Sequence, residues 1–135
     1  MKIEEIMSTN LVTVTMDDTL KTVKEVFDNT HFHHLLVVED DILYGIISDR
    51  DVLRSISPYV GTPAETSRDT ATLNKRAHQI MTRKLITISA HVDISEAIRI
   101  FSTHKISCIP VIQGAHKPIG IISWRDVLKA IASCK

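Results

Sequence analysis

The stretch Gly45-Ile46-Ile47-Ser48-Asp49-Arg50-Asp51-Val52-Leu53 recurs as Gly120-Ile121-Ile122-Ser123-Trp124-Arg125-Asp126-Val127-Leu128, and only the Asp49/Trp124 position differs. A 135-residue chain that writes its longest pattern once near the end of each half is built from two copies of one unit. Setting Ile6-Met7 over Ile80-Met81 keeps the halves in register without a gap as far as Val37 over Val111. One extra residue in the second half falls before Gly120, where Gly114 and Pro118 mark a turn.

Each copy reads in the same order. A short β-branched strand (Leu11–Val14; Leu85–Ile88) precedes a helix whose apolar residues stand at helical spacing: Leu20, Val23, Val26 and Phe27, then Ile94, Ala97, Ile98 and Phe101. Asp17 or Asp18 is the expected N-cap in the first copy and Asp93 in the second. Two strands joined by a turn follow (Leu35–Val38 and Leu43–Ile47; Ile109–Ile112 and Ile119–Ile122), nearly continuous in apolar residues as strands covered on both faces are. A closing helix runs from about Asp49 to Ile56 and from about Trp124 to Ala132. The expected fold is α/β of the α+β type, β-α-β-β-α in each copy. Residues 1–58 form the first repeat, 59–72 a linker broken by Gly61 and Pro63, and 73–135 the second, in one intertwined module. Ala71–Met81 and Lys2–Met7 read as the lead-ins to the second and first copies.

Size supports the pairing, because half of such a chain would bury too little surface to be stable alone. Aromatic residues make up only 4%, so the core must be mostly Ile, Val and Leu. Formal net charge is zero, which argues against a nucleic-acid or membrane surface. With no charged-then-apolar leader and no apolar run near about 18 residues, a soluble, non-exported protein is expected. Cys108 and Cys134 have no C-x-x-C spacing and suit a reduced cytoplasmic setting.

The chemistry concentrates where a buried strand ends at serine with aspartate three residues on: Ser48…Asp51 and Ser123…Asp126. One reading is a capping box, the serine accepting from the N3 amide while the N3 acid reaches back. The other uses the same geometry for a ligand. A helix start offers free amides and partial positive charge, the serine hydroxyl can meet a phosphate oxygen, and an ionised aspartate accepts from two vicinal hydroxyls. Phosphate plus vicinal diol describes a ribonucleotide. Arg50 and Arg125 can reach phosphate, or can be solvated or paired with Asp49 or a partner chain. Trp124 can stack on a base or pack across a subunit boundary. His31, His33 and His34 make at most half a zinc site, so no metal is expected. With no nucleophile–base pair at a meaningful spacing, no enzyme is expected either.

The doubled apolar-Gly-apolar-apolar-Ser-x-x-Asp signature and the strand–helix–strand–strand–helix order resemble the CBS domain, the repeat named after cystathionine β-synthase and found in tandem pairs. The Ser-Asp-Arg-Asp-Val-Leu-Arg run followed by Ser57-Pro58 resembles free-standing CBS-pair proteins, including the acetoin-utilisation type. The resemblance implies a pseudo-two-fold module with two clefts for adenosine compounds, namely AMP, ADP, ATP or S-adenosylmethionine. It implies a regulatory, energy-sensing role and a homodimer formed through exposed helices, a ligand-free dimerisation module being the alternative. Carried over by position, Asp51 and Asp126 hold ribose hydroxyls, and Ser48 and Ser123 face phosphate or ribose. His33 and His34 occupy the often-basic positions before the middle strand, where the second copy has Ser107 and Cys108. Ser107 lines the facing pocket, and Val14 and Ile88 sandwich adenine. Two departures stand out. Leu36 replaces the proline that Pro110 keeps, and Asp49 sets a second carboxylate near the phosphate, favouring AMP over ATP unless Arg50 compensates. The second site suits S-adenosylmethionine or stays empty.

Overall fold

A computed structural model describes residues 1–133 and contains two three-stranded sheets; Cys134 lies outside the described residues. In the first copy β1 (Thr13–Val14) pairs parallel with β2 (His34–Glu39), which pairs antiparallel with β3 (Ile42–Ser48). In the second, β4 (Ile88–Ser89), β5 (Cys108–Gln113) and β6 (Lys117–Ser123) repeat that order and those directions. Both middle pairings slip register at the same place, between Val37 and Val38 and between Val111 and Ile112.

The helices are α1 (Leu20–Asp28), α2 (Asp49–Ser55), α3 (Ser67–Ala71), α4 (Ala77–Ile80), α5 (Ile94–Thr103) and α6 (Trp124–Ser133). Asp93 caps α5 as expected, its Oδ2 accepting from the Ser95 amide at 3.0 Å. In α1 the cap is Thr19, not Asp17 or Asp18. Asp18 is one residue too early and turns back to accept from the Thr15 amide at 2.7 Å. The expected linker is also more regular than its Gly and Pro content suggests: Thr66 opens α3 within it, and Asp69 returns to the Thr66 amide at 2.8 Å in a capping box.

The compact units do not follow sequence order. One comprises Val12–Leu85; the other comprises Met1–Leu11 and, among the described residues, 86–133. In the unit of the first copy, Leu20, Val23, Leu35, Val37 and Ile47 form the core together with Ala77 and Met81 of the segment around α4. Thr82 continues that segment beside β3, exchanging backbone hydrogen bonds with Ile46 at 2.9 and 3.2 Å. In the unit of the second copy, Ile3 is fully buried among Ile88, Phe101, Ile109, Val111 and Ile122, and Ser8 exchanges two 2.9 Å bonds with Ile121 of β6. Each lead-in therefore covers the edge strand of the other copy, so that edge is hydrogen-bonded. The duplicated glycine makes this approach possible. A Cβ at Gly45 would stand 2.3 Å from Met81 Sδ, and one at Gly120 would stand 2.5 Å from Met7 Sδ.

Candidate functional site

Each copy delivers its polar motif at the junction between the third strand and the closing helix. Ser48 is extended (φ −95°, ψ 162°), ends β3 and caps α2. Its Oγ accepts from the Asp51 amide at 3.2 Å, while Asp51 Oδ2 accepts from the Ser48 amide at 2.8 Å. Ser123 and Asp126 repeat the box at 3.3 and 2.8 Å, with a further 3.1 Å bond from Ser123 Oγ to Asp126 Oδ2. Every bond that either aspartate carboxylate accepts in these boxes falls on Oδ2, so Oδ1 is not used by the cap. The capping reading is correct, and it leaves the ribose-binding reading open.

Sheet register brings the residues before the middle strand to the same junction. His34 stands opposite Ser48 and Cys108 opposite Ser123. The His33 carbonyl accepts from the Asp49 amide at 3.0 Å, and the Ser107 carbonyl accepts from the Trp124 amide at 3.4 Å. His33, His34, Ser48 and Asp51 thus gather in one unit, and Ser107, Cys108, Ser123 and Asp126 in the other. Arg50 and Arg125 are exposed on the first turn of α2 and α6, and neither guanidinium forms an ion pair among the described residues. Val14 and Ile88 are core residues, each 5% exposed, packed inside their own units.

The two junctions differ in charge. His33 Nδ1 donates to Asp49 Oδ2 at 2.9 Å. That hydrogen bond is the main cause holding the Asp49 carboxyl below the ordinary carboxylate range. Asp49 is therefore compensated by an imidazole from the preceding loop rather than by Arg50. Burial pushes His34 below the ordinary imidazole range against the pull of Asp49, so near neutral pH its imidazole is uncharged. In the second copy burial raises the Cys108 thiol to about 12, which keeps it protonated. Trp124 lies against Phe101 with ring centroids 4.8 Å apart at 31°, yet remains 37% exposed.

Beside the second junction lies an open depression of about 240 Å³ lined by Asp126, Lys129, Ala130, Ser133 and Ile6. The sequence reading missed all of these but Asp126. Lys129, Ala130 and Ser133 follow Asp126 at helical spacing and were accessible to a periodicity argument. Ile6 was not, because it arrives from the exchanged lead-in. Among the described residues no group of three or more His, Cys, Asp or Glu side chains is placed to share a metal ion, and no helix is long and apolar enough to cross a membrane.

Comparison with known proteins is decisive for the family. The family model of the CBS domain matches residues 3–58 and 77–133. The chain belongs to the CBS domain family. Its two CBS copies coincide with the two written in the sequence. Among curated relatives, a CBS domain-containing protein of Dictyostelium discoideum (DDB_G0289609) is 29% identical over 128 residues, covering 93% of this chain and 88% of that one. An inosine-5'-monophosphate dehydrogenase of Methanocaldococcus jannaschii is 27% identical over 129 residues; the match covers 95% of this chain and only 23% of that enzyme. Solved structures share the fold of the CBS pair. These include the CBS domain pair of protein MJ0100 in complex with 5'-methylthioadenosine and S-adenosyl-L-methionine (TM-score 0.80, 20% identity, 100% and 98% of the two chains). They also include an acetoin utilization protein, AcuB, from Vibrio cholerae (0.79, 21%, 98% and 90%) and CBSX2 in complex with AMP (0.80, 22%, 97% and 96%).

Proposed function

We propose that this protein is a regulatory module, not an enzyme, that senses an adenosine compound, whether AMP, ADP, ATP or S-adenosylmethionine, at the junctions closed by Asp51 and Asp126. One observation carries the reading: both capping boxes engage a single carboxylate oxygen, Oδ2, at a strand-to-helix junction and leave Oδ1 unused by the cap, able to accept from ribose hydroxyls. Related CBS pairs hold 5'-methylthioadenosine, S-adenosylmethionine and AMP, which supports the ligand class. In the first copy, Asp49 and an uncharged His34 favour a ligand of low charge, so AMP ranks above ATP. A buried, protonated Cys108 suits a reduced cytoplasmic setting.

Exposed apolar residues on the closing helices support a homodimer, with or without ligand. Leu53 on α2 is 75% exposed, and Leu128 and Ile131 on α6 are 59% and 51% exposed. Thermal shift with AMP, ADP, ATP and S-adenosylmethionine tests the sensor against the ligand-free dimerisation module. A ligand at a hundred times its Kd adds about 2.7 kcal/mol of stability. We expect at least one compound to raise the Tm of the wild type and to lose much of that effect in Asp51→Ala. No shift with any of the four at millimolar concentration would leave the dimerisation module as the function.

A further inference from the structure

The duplicated glycines set two methionine sulfurs against bare backbone. Met81 Sδ and Cγ fill the space over Gly45, and Met7 Sδ and Cγ fill the space over Gly120. A Cβ on Gly120 would stand 2.5 Å from Met7 Sδ and 3.1 Å from the Ser8 carbonyl oxygen, so one more heavy atom has no room between sulfur and strand. The residue after each methionine carries the bonds that hold its lead-in to the edge strand: Ser8 with Ile121, and Thr82 with Ile46. The two sulfurs differ in shelter. Met81 is 8% exposed and belongs to the core of its unit, whereas Met7 is only half-buried and packs on the rim of its own.

We propose that Met7 is a site of oxidative modification, and that its conversion to the sulfoxide frees the lead-in from β6 while the sheltered Met81 keeps the other lead-in closed. A peroxide is the oxidant. The thioether sulfur attacks the O–O bond, and an S–O bond forms as O–O breaks. The hydroxide released takes the proton of the transferred oxygen and leaves as water; sulfur gives up two electrons and the peroxide gains them. The product is bulkier and polar where the thioether was apolar and adaptable. Turned inward, its oxygen crowds Gly120 and enters apolar surroundings, which is costly. Turned outward, the side chain leaves the hollow that anchors Ser8. Either way the two 2.9 Å bonds between Ser8 and Ile121 loosen, and the edge of β6 opens. A thiol-driven sulfoxide reductase removes the oxygen as water and closes the edge again.

Oxidation of the folded protein with dilute hydrogen peroxide, read by peptide mass mapping and amide hydrogen exchange, tests the assignment. Met7 should gain its oxygen at least about tenfold faster than Met81. The Ser8 and Ile121 amides should then exchange at least about tenfold faster, with Ile46 and Thr82 unchanged. Met7→Leu conserves side-chain volume and should show no such acceleration after the same treatment, although Met1, Met16 and Met81 remain. Met7→Gln puts a polar oxygen where the sulfoxide carries its own and should speed exchange at Ser8 and Ile121 without peroxide. Oxidation of Met7 no faster than of Met81, or oxidised Met7 with Ser8 and Ile121 still protected, would overturn the proposal. So would wild-type protection in Met7→Gln, or an acceleration that persists in Met7→Leu and therefore belongs to another methionine.

Discussion

The exchange of lead-ins makes a demanding prediction at Gly120. A Cβ there would stand 2.5 Å from Met7 Sδ, 3.0 Å from Met7 Cγ and 3.1 Å from the Ser8 carbonyl oxygen. The sulfur can swing aside. The carbonyl cannot retreat freely, because it accepts from the Ile121 amide at 2.9 Å and holds the lead-in to the edge of β6. Gly120→Ala should therefore cost about 1–3 kcal/mol, typical of overpacking. At about 3–4 °C per kcal/mol for a chain of this size, that lowers the Tm by about 3–12 °C. Met7 is only half-buried, so Met7→Ala should cost about 1–2 kcal/mol. The two changes should not add: with the thioether gone, the new methyl fills part of the space, and the double variant should lie near Met7→Ala alone. A coupling of about 1–3 kcal/mol in favour of the pair, close to the full cost of Gly120→Ala, is expected from chemical denaturation. Met81→Ala combined with Gly120→Ala should be additive within about 0.5 kcal/mol. If Met7 couples instead to Gly45, or Met81 to Gly120, the lead-ins cover their own copies and the exchange is wrong.

Three further outcomes are expected. His33→Ala removes the donor that depresses Asp49, so the acid transition of that carboxyl, followed by carbon-13 NMR, should move to higher pH. Because the folded value is lowered, the stability from this pair is present above the ordinary aspartate range and lost as pH falls through the folded value. Wild type and His33→Ala should therefore converge in strong acid, and a wild-type advantage that grows on acidification would contradict the sign. Cys108, with its thiol raised to about 12, should resist alkylation in the folded protein at pH 8 and react on denaturation, as read by peptide mass mapping; rapid native labelling would contradict its burial. Without ligand, Asp51→Ala and Asp126→Ala should each lose about 0.5–2 kcal/mol through the broken capping box, and a loss in one copy alone would deny their equivalence.

Much of this was legible because the sequence is written twice. The order of strands and helices, the register-bearing glycine and the Ser–Asp box each appear in two places, and coincidence between copies replaces the missing second opinion that a single segment lacks. What failed to show was local competition or long-range partnership. Thr19 outcompeted Asp17 and Asp18 for the α1 cap because the position of the first helical amide, not the acidity of the side chain, decides. The pairing of Asp49 with His33 spans a strand hairpin, and nothing in the spacing prefers it to Arg50. The lead-in exchange is hidden by the duplication itself. Met7 and Met81 are the same residue facing the same glycine, so sequence alone gives no reason for either to choose one copy over the other. Ile6 and the depression beside Asp126 were lost with it.

The proposed sensor function rests on two aspartates at two junctions, and calorimetric titration of AMP into wild type, Asp51→Ala, Asp126→Ala and the double variant tests that dependence directly. The predicted result is binding of unequal strength at two sites, the tighter lost in Asp51→Ala, the weaker in Asp126→Ala, and none left in the double variant, with all four proteins still folded. AMP binding that survives unchanged in the folded double variant would contradict it.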